Sequence, residues 1–80
     1  MSKPPRVLLV EDSSALAAMY RQYLKDEAID LSTVNDGSQA RAAIAAQPPS
    51  LVLLDLVLPD DDGRDILRWI RDEEIGRAHV

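Results

Sequence analysis

Eighty residues, 46% of them hydrophobic, suffice for one small domain that buries only roughly 60% of the surface its unfolded chain exposes. The lack of cysteine excludes a disulfide framework and suits a reducing cytoplasm, where the chain is expected to work. A net charge of −5 argues against direct nucleic-acid binding by this segment, no apolar run is long enough to span a membrane, and the first six residues are too short and polar for a signal peptide.

After a short N-terminal tail (1–5), Val7-Leu8-Leu9-Val10 forms a β-branched and leucine run that stops abruptly at Glu11-Asp12. Such a run predicts a buried strand with two acids at its carboxyl end. Ser13-Ser14 offers a helix N-cap, and Leu16, Met19, Tyr20, Tyr23 and Leu24 recur at helical spacing, predicting a core-facing stripe. Ile29 to Val34 alternates apolar and polar residues, as expected of a strand near a sheet edge, and Asn35-Asp36-Gly37 ends it and can cap the next helix. Ser38 to Gln47 is alanine-rich, with Ala40, Ala43, Ile44 and Gln47 on one face, and Pro48-Pro49 ends it.

Leu51 to Leu58 is an unbroken apolar run interrupted only by Asp55, the pattern of a strand buried on both faces of a parallel sheet. A carboxylate stays ionised there only if paired or metal-bound, which places Asp55 at the carboxyl end of the strand beside a solvent-reachable crevice. Asp60-Asp61-Asp62-Gly63 reads as a turn, and Arg64 to Arg71 as a helix burying Ile66, Leu67 and Ile70. Trp69 falls off that stripe, as an aromatic shielding a neighbouring loop or a partner contact would. The alternation β, α, β, α, β, α implies right-handed crossovers and a doubly wound parallel α/β sheet.

Two strands thus end in acids. If they are neighbours, Glu11, Asp12 and Asp55 meet in one crevice, where three carboxylates repel unless a cation joins them. Magnesium suits such a site, taking carboxylates, a backbone carbonyl and waters while leaving room for phosphoryl oxygens. A metal-bound carboxylate with an open side can then act as a nucleophile toward phosphorus. The competing reading is capping, with Asp12 serving the first helix; it leaves unexplained an acid that ends a wholly apolar strand.

The segments Val7-Leu8-Leu9-Val10-Glu11-Asp12-Ser13, Asn35-Asp36-Gly37 and Leu53-Leu54-Asp55-Leu56-Val57-Leu58-Pro59-Asp60 with Gly63 resemble the receiver domain of bacterial two-component response regulators. The likeness runs from Arg6 to about Asp72. More narrowly, Val10-Glu11-Asp12-Ser13, Tyr20 to Leu24 and Leu58-Pro59-Asp60 are similar to receivers of quorum-sensing and nitrogen-type activators that work with sigma-54.

The resemblance implies a flavodoxin-like fold with strand order 2-1-3. It implies a signalling module rather than an enzyme. Asp55 would be the phosphoacceptor, and Mg2+ would be held by Asp12 directly, Glu11 through water, Asp55, and the backbone carbonyl of Val57. Pro59 and Gly63 would shape the loop. The partner would be a sensor histidine kinase or histidine phosphotransfer protein, with the output domain missing or unknown. The alternatives are a Mg2+-dependent phosphotransferase or phosphohydrolase on a similar sheet, and a pseudo-receiver that binds a partner without phosphorylation.

The chain departs from the pattern after its third helix. The strands ending in Ser or Thr and in Lys, which complete the family's switch, have no counterpart, so 6–73 is expected to be a partial receiver truncated after the third βα unit, with its third strand an open apolar edge. Residues 74–80, Glu-Ile-Gly-Arg-Ala-His-Val, back-translate to GAG ATC GGA AGA GCA CAC GTC, a common sequencing-adapter sequence. They are expected to be a non-native tail, and the sole histidine, His79, is given no ligand role.

Overall fold

A computed structural model describes residues 3–55, 57–73 and the backbone of 78–79. Four parallel strands make the sheet among these residues, in the spatial order Asp30–Val34, Arg6–Val10, Leu51–Leu54, Ala78–His79. The first strand, β1 (Arg6–Val10), lies between β2 (Asp30–Val34) and β3 (Leu51–Leu54), which leaves β2 at an edge as its alternating sequence predicts. Val10 is level with both Val34 and Leu54, so the three strands end together. The pairing runs one step further through the backbone, Glu11 N–H donating to Val34 O at 3.0 Å and Asp55 N–H to Val10 O at 3.0 Å. This common ending brings the acids that follow β1 and β3 to one edge.

Because side chains alternate along a strand, Leu8 and Val10 of β1 share a face with Val52 and Leu54 of β3. That face is covered by α2 (Gly37–Ala46) and α3 (Gly63–Asp72), whose Ala40, Ile44, Ile66 and Ile70 are buried with Leu58 in one cluster. Ile44 and Ile66 are fully enclosed, and each such side chain contributes about 1.5–3 kcal/mol through its burial. Leu67 and Trp69 are partly buried against the cluster, and the Arg41 guanidinium lies over the Trp69 ring at 5.3 Å. Trp69 therefore shields α2 as well as the core.

Each helix begins where a short polar side chain can take an otherwise unpartnered N–H. Ser13 accepts from Leu16 N–H at the start of α1 (Ser14–Leu24), Asp36 from Gln39 N–H at α2, and Asp62 from Arg64 N–H at α3.

The stripe predicted for α1 is a correction. Leu16, Met19 and Tyr20 are about two-fifths exposed and Tyr23 is 77% exposed, while Ala17 is the buried residue of the helix. Arg21 of α1 bonds to Thr33 of β2, which lies level with Leu9, so the helix lies on the face that carries Val7 and Leu9, and of its three alanines it buries Ala17. Helical spacing shows that a stripe exists; which stripe meets the sheet is decided by the fold.

The expected open edge at β3 is also corrected, since β4 (Ala78–His79) pairs in parallel with Val52 and Leu53. Leu56, residues 74–77, Val80 and the His79 side chain lie outside the described residues. No helix among the described residues is long and apolar enough to cross a membrane.

Candidate metal centre

Glu11 and Asp12 follow β1 directly, and Asp55 follows β3. Each offers one carboxylate oxygen such that the three atoms lie within 4.8 Å of one another. Glu11 and Asp55 are half-buried and Asp12 is exposed, so the cluster opens to solvent. Short local bonds aim two of the acids: Glu11 Oε2 accepts the Ser13 N–H at 3.1 Å, and Asp55 Oδ1 accepts the Val57 N–H at 3.0 Å. Ser13 Oγ takes the Leu16 N–H at 3.2 Å, so the first helix is capped by Ser13 and capping does not account for Asp12.

The electrostatics of the cluster are those of crowded anions. Burial pushes the Glu11 carboxyl above its ordinary value. The Ser13 N–H opposes this, while the charge of Asp55 and hydrogen bonds to Asp12 and Asp55 add to the rise. Without a cation, such crowding disfavours the ionised form of the group. A small divalent ion fits the same position, because the donor set is hard oxygen and one side is open for water or a phosphoryl oxygen.

The loop from Val57 to Asp62 borders the cluster. Val57 forms an isolated antiparallel bridge with Asp62, and its side chain is 78% exposed. Its amide is committed to Asp55, and its carbonyl is the atom that the resemblance assigns to the metal.

Sequence reasoning took Asp60 and Asp61 only as turn residues. In the structure they reach across to α2. Asp60 Oδ1 accepts from Gly37 N–H at 2.6 Å and Oδ2 from Ser38 N–H at 3.0 Å; Asp61 Oδ2 accepts from Arg41 Nε at 2.8 Å. The acidic run signalled a turn, but its partners lie some twenty residues away and carry no local mark.

A fold with three acids at the carboxyl edge of a 2-1-3 parallel sheet defines the class. The family model for the response regulator receiver domain matches residues 7–79, and the chain belongs to that family. The DNA-binding response regulator MtrA of Mycolicibacterium smegmatis is 44% identical over 66 residues, covering 82% of this chain and 29% of MtrA. Among solved structures, the signal receiver domain of a protein described as a LuxO repressor from Vibrio parahaemolyticus superposes with a TM-score of 0.90 at 47% identity, covering 94% of this chain and 58% of that one. The Mn2+-bound form of response regulator Rcp1 gives 0.82 at 34% identity, covering 92% and 63%. The chain thus spans less than a third of MtrA and about three-fifths of the solved receivers. MtrA and the LuxO protein are both matched through the receiver domain, on which membership rests.

Proposed function

We propose that this chain is the phosphoacceptor portion of a two-component receiver, taking a phosphoryl group on Asp55 from a phosphohistidine of a sensor kinase or phosphotransfer protein in the cytoplasm. The observation that carries the reading is the convergence of Glu11, Asp12 and Asp55 from two strand ends. A bound Mg2+ would be held by these three acids and the Val57 carbonyl, and it would offset the charge that builds on the transferring phosphoryl oxygens.

Asp55 itself supplies the nucleophile. One carboxylate oxygen forms the bond to phosphorus as the phosphorus–nitrogen bond of the donor breaks, and the departing imidazole keeps the electron pair and takes up a proton. The Val57 N–H on Asp55 Oδ1 holds one oxygen, which leaves the other free to attack. Rcp1, a similar response regulator, has a Mn2+-bound form, which supports divalent-ion binding by this chain. DNA binding, which MtrA carries in its name, would belong to sequence beyond the receiver.

The test is incubation of the chain with Mg2+ and a small phosphoramidate donor, followed by intact-mass and peptide analysis. A single phosphoryl group on Asp55, absent without Mg2+ and absent in Asp55→Asn, is the expected result. Repeated turnover of a phosphorylated substrate would replace this reading with that of an enzyme. Partner binding indifferent to Mg2+ and to Asp12→Ala would replace it with that of a pseudo-receiver.

The adapter origin of residues 74–80 is likewise proposed, on the codon match alone. The backbone pairing of Ala78–His79 with β3 does not bear on it, because an open strand edge accepts any extended segment.

A further inference from the structure

We infer that Asp60, seconded by the Asp61–Arg41 pair, is a positioning residue that locks the loop after Asp55 onto the start of α2 and so sets Asp55 and the Val57 carbonyl for metal. The inference rests on the metal-site reading above and goes beyond it by assigning a role to acids outside the cluster.

The first N–H groups of a helix have no partner within it, and a negative charge is favoured there. At α2 the capping side chain, Asp36, takes the Gln39 N–H at 2.7 Å. The Gly37 and Ser38 N–H groups are taken by Asp60, a carboxylate from a different part of the chain. One turn along, Arg41 grips Asp61 through Nε while its guanidinium stacks over Trp69 of α3. The Arg41 hydrogen bond holds the Asp61 carboxyl below its ordinary value, as an ion pair would.

The loop is seated closely. A Cβ built on Gly37 would stand 2.3 Å from the Asp61 Cβ, so this approach requires glycine at position 37. Meanwhile α2 is anchored at its far end, where Arg6 donates to the carbonyls of Gln47 at 2.9 Å and Pro48 at 3.1 Å. Ala40 and Ile44 fix α2 against the core whether or not Arg6 holds its far end, so α2 is the fixed partner and the loop is what it fixes. From Asp60 and Asp61 the restraint passes to Asp62, to its bridge with Val57, and through the Val57 N–H to Asp55 Oδ1.

A residue that merely caps α2 would alter stability alone. A positioning residue alters metal affinity in protein that is still folded, and loss of such an outer-shell partner typically weakens binding by 10–100-fold. The experiment is a titration of the full chain with Mg2+ alone, with far-UV circular dichroism recording the folded fraction. The parent should bind Mg2+ and Asp12→Asn should not. Asp60→Ala and Gly37→Ala should bind on the order of tenfold more weakly, and Asp60→Asn, which keeps one acceptor oxygen, should fall between. Arg6→Ala, which loosens the other end of α2, should lower thermal stability with Mg2+ affinity unchanged.

Parent-like affinity in both Asp60→Ala and Gly37→Ala would overturn the inference while leaving the metal site standing. So would an equal loss of affinity in Arg6→Ala. Failure of the parent to bind Mg2+ would overturn both readings. Should Asp60→Ala fail to fold, Asp60→Asn and Gly37→Ala decide the matter by the same titration.

Discussion

Replacing Asp55 with asparagine is expected to stabilise the metal-free protein and remove its response to Mg2+. Asn keeps an oxygen that can accept the Val57 N–H, so the local geometry survives while one charge is lost. Two unit charges at 4.8 Å, the outer limit within the cluster, repel by about 3.5 kcal/mol at an effective dielectric of about 20 and by about 1 kcal/mol in water. Glu11 and Asp55 are only half-buried and Asp12 is exposed, so the relief belongs toward the lower figure, about 1–2 kcal/mol. In a domain of this size, 1 kcal/mol moves the melting temperature by about 4–8 °C. Thermal melts at low ionic strength, with and without Mg2+, measure both effects. Saturation at a hundred times Kd should stabilise the parent by about 2.7 kcal/mol and leave Asp55→Asn nearly unmoved. A variant that melts at or below the parent without Mg2+, or that gains as much as the parent from Mg2+, would refute the crowding argument.

Three further outcomes follow from the packing and the loop. Ile44→Ala empties a fully buried position facing the sheet and should cost about 2–5 kcal/mol, against a total of about 4–12 kcal/mol for eighty residues; urea denaturation would show the midpoint falling sharply, and a small shift would contradict the core described here. The Arg41–Asp61 pair, worth about 1 kcal/mol, lowers the Asp61 carboxyl, so its contribution is complete above the ordinary carboxylate value near about 4 and fades as pH falls through the depressed one. Arg41→Gln should therefore flatten the acid limb of stability against pH, and an unchanged limb would deny the pair that role. Tyr23→Ser on the outer face of α1 should change stability by less than about 0.5 kcal/mol; a loss of several times that in the same denaturation assay would restore Tyr23 to the core.

The order of the first six elements was legible because β1 and β3 announce themselves by apolar runs, β2 by alternation, and the first two helices by caps, whereas β4 was not foreseen. Val7 to Val10 and Leu51 to Leu54 end where acids begin, and Ser13 and Asp36 sit where helices start. The site was legible for the same reason: an acid that closes a buried strand has few explanations, and parallel strands joined by helices share one carboxyl edge. The sequence by itself therefore determined the doubly wound α/β plan and the three acids. It did not determine which stripe of α1 would meet the sheet. Leu16, Met19, Tyr20 and Tyr23 satisfy helical periodicity, yet the residue that the fold buries is Ala17. Nor did it reveal that Asp60 and Asp61 would hold α2. Their partners at Gly37, Ser38 and Arg41 are distant in the chain, and the pairing exists only once the loop after β3 and the start of α2 lie side by side. Patterns of period two and 3.6 are written locally, whereas contacts between carboxylates and remote backbone amides are created by the fold.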